Sequence, residues 1–97
     1  MSVVIIGGNE RMKQRYEEIC KNYGCTAKVY PKEKGTFKKK IGKPDLMICF
    51  TGTVSHKMVN VAKQECKRAG IPLEHLHSSS ATALAEKLKE IRYENSK

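Results

Sequence analysis

Tryptophan is missing from this 97-residue chain, whose aromatic residues are two Phe and four Tyr. They are not interleaved with the lysines, which argues against a stacking platform for single-stranded nucleic acid. The cysteines Cys20, Cys25, Cys49 and Cys66 form no CxxC pair, and no close Cys/His pairs supply the two-plus-two spacing of structural zinc. No GxSxG turn is present and no paired carboxylate accompanies a histidine, so a hydrolase has no support and no catalytic residue is assigned. The longest apolar run, Leu46–Phe50, is far too short to span a membrane. Ser2–Ile6 runs into glycines without a cleavage-site pattern, so a cytoplasmic location with reduced thiols is expected.

What is present is a soluble-type balance of 39% hydrophobic and 30% charged residues in a length that suits one domain, residues 1–97. The net charge of +9 would suit a polyanion. However, Lys32, Lys34, Lys38, Lys39, Lys40 and Lys43 crowd one short segment, and most other lysines lie at helix-surface spacing. They read as a solvated face, and nucleic acid is a secondary partner class.

Leu46–Phe50 is apolar at every position, the pattern of a central parallel strand covered on both faces. Thr51-Gly52-Thr53 breaks it, and Ser55 or Thr53 can cap a helix beginning near His56, with Met58, Val59, Ala62, Cys66 and Ala69 as its apolar stripe and Gly70 as its stop. Upstream, Ser2–Ile6 predicts a first strand ending at Gly7-Gly8. Asn9 then caps a helix with Met12, Tyr16, Ile19, Cys20 and Tyr23 at helical spacing. Ala27–Tyr30 predicts a second strand, and 35–41 a basic turn with Phe37 and Ile41 inward. Pro72–Leu76 predicts a fourth strand, and Ser78-Ser79-Ser80 caps a last helix with Ala81, Leu84, Leu88 and Ile91 on one face, the tail fraying over 94–97.

Strands alternating with helices predict an α/β fold: one open parallel sheet of four strands, order 2-1-3-4, with helices on both faces, a truncated flavodoxin- or Rossmann-like sheet. The order reverses between strands 1 and 3, opening a crevice beside Gly7-Gly8-Asn9 and Thr51-Gly52-Thr53. His77 and Ser78 fall at the same rim. An exposed edge and a small core favour a homodimer.

GGNERM lacks the third glycine of a dinucleotide fingerprint, and Val29-Tyr30-Pro31-Lys32 stands where an acidic ribose ligand belongs, which argues against NAD. A phosphate-type anion at the helix N-termini, using Gly8, Asn9, Thr53 and Ser55, is one expectation for the crevice. His56 and His77 are candidate ligands or proton acceptors, whereas His75 reads as a surface or interface residue. Cys49, Cys20 and Cys66 read as core, and Cys25, in a turn, as the most accessible thiol.

Together, VVIIGGNERM, the block KKKIGKPDLMICFTGTVSHKMV and HSSS resemble the domain-of-unknown-function family 2325, small bacterial proteins, over nearly the whole chain. The residues themselves read as a non-enzymatic ligand-binding domain, and the resemblance implies haem as the ligand with a gas- or redox-sensing role. Carried over, it implies His56 of TVSHK and His77 of HSSS as iron ligands, with a cysteine, Cys49 or Cys25, as a further participant. The haem-attachment pattern CxxCH is absent, so a covalent link would use a lone cysteine.

Overall fold

A computed structural model of the chain describes residues 1–30 and 42–95. The basic turn expected over 35–41, with Lys38, Lys39 and Lys40, lies outside the described residues.

Four strands, β1 (Ser2–Ile6), β2 (Thr26–Tyr30), β3 (Leu46–Phe50) and β4 (Leu73–Leu76), form one sheet in the order β2-β1-β3-β4. All three pairings are parallel: Val3 lies opposite Leu46, Ile5 opposite both Val29 and Ile48, and Phe50 opposite Leu76. Between and after the strands run α1 (Lys13–Asn22), α2 (His56–Ala69) and α3 (Ala81–Asn95). This is the expected α/β architecture and strand order.

Alternation along β1 and β3 sends successive side chains to opposite faces, and each face carries its own core. On one side Val3, Ile5, Leu46, Ile48 and Phe50 pack with Tyr16 and Cys20 of α1 and Leu84 and Leu88 of α3. On the other, Val4, Ile6, Met47 and Cys49 meet Met58, Ala62 and Cys66 of α2. Every residue of β3 is buried because both faces are covered. Full burial of a side chain such as Ile48 contributes roughly 1.5–3 kcal/mol, so β3 is the strand the core depends on most.

The elements form where their end signals place them, with local differences. Asn9 accepts a 3.0 Å hydrogen bond from the Arg11 N–H, and its carbonyl accepts the Met12 N–H at 2.9 Å. Those tight local bonds wind Glu10–Met12 as a 3₁₀ turn ahead of α1. Ser55, not Thr53, caps α2, accepting from Met58 N at 3.2 Å. Ser80 caps α3 by accepting from Ala83 N at 3.1 Å. β2 begins one residue earlier than expected and β4 one residue later, at Leu73. α3 continues through Asn95, past Glu94 where fraying was expected. Among the described residues, no helix is long and apolar enough to cross a membrane.

Candidate functional site

The carboxyl ends of β1, β3 and β4 lead into three turns, and close contacts join them into one rim. Gly7 and Gly8 follow β1 with φ of +89° and +90°, a backbone that a side chain would strain. Space is equally restrictive: a Cβ on Gly7 would lie 2.6 Å from Val54 Cγ1 and 2.8 Å from Thr53 Oγ1. Thr53 uses its hydroxyl as a clasp, accepting the Gly8 N–H at 2.7 Å and donating to the Phe50 carbonyl at 3.0 Å. This side chain therefore holds the first turn against the second.

The third turn is fixed from two directions. Thr51 N–H donates to the Leu76 carbonyl at 2.9 Å, extending the β3–β4 pairing into the turns. Beyond it, Gly52 lies directly under His77, and a Cβ there would come 2.5 Å from the His77 carbonyl oxygen and 3.4 Å from the ring Cε1. Only glycine admits this approach. From the other face, Tyr16 is fully buried on α1, its ring 5.2 Å from that of Phe50. Its hydroxyl accepts the Asn9 N–H at 3.2 Å and donates to the Ser79 carbonyl at 2.6 Å, linking the first and third turns. Sequence reasoning placed Tyr16 in the core alone. Its helical spacing signalled burial, but nothing in the sequence pairs its hydroxyl with a carbonyl 63 residues away.

The expected site residues divide into those exposed at this rim and those committed to structure. His56 is exposed at the first position of α2, and His77 is exposed after β4. Gly7, Gly8, Asn9, Thr51 and Thr53 all belong to the joined turns, and Ser55 opens α2 as its cap. Ser78 accepts the Ser80 N–H at 3.2 Å and so shapes its own turn. The N–H groups of Gly7, Gly8 and Asn9 are all engaged within the protein, by the Tyr30 carbonyl, the Thr53 hydroxyl and the Tyr16 hydroxyl. An anion at these three amides would have to displace these bonds rather than fill a waiting cradle.

The cysteines sort by burial. Cys49 is 0% exposed beneath α2, and burial pushes its thiol above the usual range, with Cys66 adding to the effect. Cys66 is raised likewise, first by burial and then by Glu65, and its thiol lies 3.4 Å from Met47 Sδ. Cys25 is half-buried, the most accessible thiol, as expected.

Among the described residues, no group of three or more His, Cys, Asp or Glu side chains converges as a metal site of protein ligands alone would require. Haem makes a smaller demand, since the macrocycle brings four nitrogens and asks the protein for one or two axial ligands. Exposed imidazoles such as His56 and His77 fit that role, whereas Cys49 could reach a ligand only if α2 lifted away.

A four-stranded parallel sheet with helices on both faces and a glycine-rich carboxyl rim defines a Rossmann-like α/β domain. Within that class, residues 2–91 match the family described as uncharacterized protein conserved in bacteria (DUF2325), and the chain belongs to that family. No curated protein and no solved structure gave a match.

Proposed function

We propose that the protein is a non-enzymatic cytoplasmic domain that binds haem at the carboxyl rim and senses a diatomic gas or redox state through it. The observation that carries this reading is the convergence of three cross-bonded turns at the carboxyl edge of the sheet, where His56 and His77 are both exposed residues. Among the described residues no buried side-chain polar atom lacks a partner, so the rim is a finished scaffold and its reactive groups are those facing outward. Bound haem would supply an iron that takes up a small gas or one electron. The chain's own part is to present imidazole nitrogen from positions that Gly52, Thr53 and Tyr16 hold in place.

A second copy of the chain belongs to this reading. β2 and β4 each pair on one side only among the described residues. A domain of this size offers little apolar depth for a macrocycle, and a homodimer would enclose what one rim leaves open. Cytoplasmic placement is consistent with four cysteines kept as thiols. A phosphate-type anion at the crevice of β1 and β3 has less support, because the first-turn amides are already bonded internally.

Titrating haem into the purified protein and following the Soret band tests the proposal. A saturable shift away from the spectrum of free haem supports it, and the unaltered free-haem spectrum throughout refutes it.

A further inference from the structure

A second reactive cluster lies at the opposite, amino-terminal edge of the sheet, where α1 ends and β2 begins. Gly24, with φ +74°, turns the chain there. Gly24 N–H donates to the Lys21 carbonyl at 2.9 Å, and Cys25 N–H donates to the Cys20 carbonyl at 2.8 Å. This paired 5→2 and 6→1 pattern is a Schellman cap, which characteristically brings the side chains at its two ends into contact. In this chain both ends are cysteines.

The cap sets how far apart they stand. With ordinary bond lengths on either side of the 2.8 Å hydrogen bond, the Cα atoms of Cys20 and Cys25 are at most about 6.7 Å apart. Disulfides span Cα separations of about 4.4–6.8 Å. The side chains also share surroundings: Cys20 belongs to the core cluster on the α1 face, and Cys25 packs against that cluster. Cys20 is fully buried, while Cys25 is half-buried and donates its S–H to the Tyr23 carbonyl at 3.6 Å. Of the two residues, Cys25 is therefore the one an oxidant reaches first. Cys49 and Cys66 also influence each other, but both are buried and offer an oxidant no entry.

We infer that Cys20 and Cys25 are a redox-active dithiol site, converted to an intramolecular disulfide by low-molecular-weight disulfides such as oxidised glutathione. Cys25, as thiolate, attacks one sulfur of the oxidant, forming a mixed disulfide and releasing one glutathione thiolate, which takes up a proton. Cys20 then attacks the Cys25 sulfur, and its proton passes to the second glutathione thiolate as that is expelled. Two protein thiols are oxidised to one disulfide, and one oxidised glutathione is reduced to two thiols.

Electrostatics supports that order. Burial, followed by the charge of Cys25, pushes the Cys20 thiol up to about 12, so it is the poorer first nucleophile. Once Cys25 is in the mixed disulfide its charge is gone, and one of the effects that holds the Cys20 proton is removed. The site is separate from the rim and does not depend on what binds there.

The test exposes native, reduced protein to oxidised glutathione, quenches with acid, blocks remaining thiols and maps the peptides by mass spectrometry. Wild type is expected to yield a Cys20–Cys25 disulfide that dithiothreitol reverses, with little glutathione retained. Cys20→Ala should hold glutathione on Cys25 at least tenfold more than wild type, and Cys25→Ser should carry neither modification. Glutathione persisting on Cys25 of wild type, or a disulfide mapping to another pair, overturns the assignment. Should Cys20→Ala fail to fold, the wild-type map decides alone, because the linked peptide is either present or absent.

Discussion

The Tyr16 hydroxyl donates to the Ser79 carbonyl at 2.6 Å, joining the first turn of α1 to the turn before α3. It also accepts the Asn9 N–H, so one buried oxygen holds two of the three turns that make the rim. Tyr16→Phe keeps the ring packed on Phe50 and removes both bonds. Two backbone groups then lose their partner, and a loss of about 1–3 kcal/mol is expected in urea unfolding at unchanged m-value. An unchanged midpoint would mean that the hydroxyl does not hold the rim.

Gly52 is the position where the rim tolerates least. A methyl group there would sit 2.5 Å from the His77 carbonyl oxygen, and backbone cannot yield as a flexible side chain does. Gly52→Ala should displace the His77 turn and lower the melting temperature by several degrees, the effect of a loss of about 1–3 kcal/mol. Amide chemical shifts should move around His77 and much less at Gly24, where an added Cβ meets nothing.

Much of this was legible in advance, for reasons particular residues make plain. Five consecutive apolar residues in β3, bounded by Pro44 and by Thr51-Gly52-Thr53, pointed to an interior strand, and its two covered faces follow from that. The stripe of Met58, Ala62 and Cys66 likewise identified the buried side of α2. The rim was legible as a place, because Gly7-Gly8 and Thr51-Gly52-Thr53 end neighbouring strands. Its internal bonds were not. Thr53 and Ser55 are both chemically able to cap, and only the parallel pairing of β1 with β3 brings Thr53 to Gly8 and leaves the cap to Ser55. Tyr16 and Ser79 meet because α1 and α3 share a face, a fact of topology that local spacing does not encode.

Alkaline pH should weaken the fold through Cys20. Its thiol is held up to about 12 in the folded chain, against 9.0 as the ordinary value, chiefly by burial. Between those values the unfolded chain has lost the proton and the folded chain keeps it. Unfolding therefore releases a proton, and stability falls as pH rises, at up to about 1.4 kcal/mol per pH unit. Below about pH 8 this contribution is flat. Denaturation at pH 8 and pH 10 should show the decline, and Cys20→Ala should show a smaller one. Equal slopes for the two proteins would contradict the assignment.

Lys38, Lys39 and Lys40 separate bulk charge from site chemistry. Replacing all three by Gln removes three positive charges and should change stability by no more than a few tenths of a kcal/mol per residue. Binding to duplex DNA should be weak in wild type and triple variant alike. Tight wild-type binding, with a log–log salt slope that flattens by about 0.9 per lost phosphate contact in the variant, would make nucleic acid the partner.

The most direct measurement compares haem spectra of the three histidine variants with wild type. His56→Ala and His77→Ala each remove an exposed imidazole at the rim, and His75→Ala removes one from the middle of the edge strand β4. After haem titration, the rim variants should shift the Soret band or lose the cofactor on gel filtration, while His75→Ala should match wild type in both. Identical spectra and retention for all three variants would contradict the rim as the binding site.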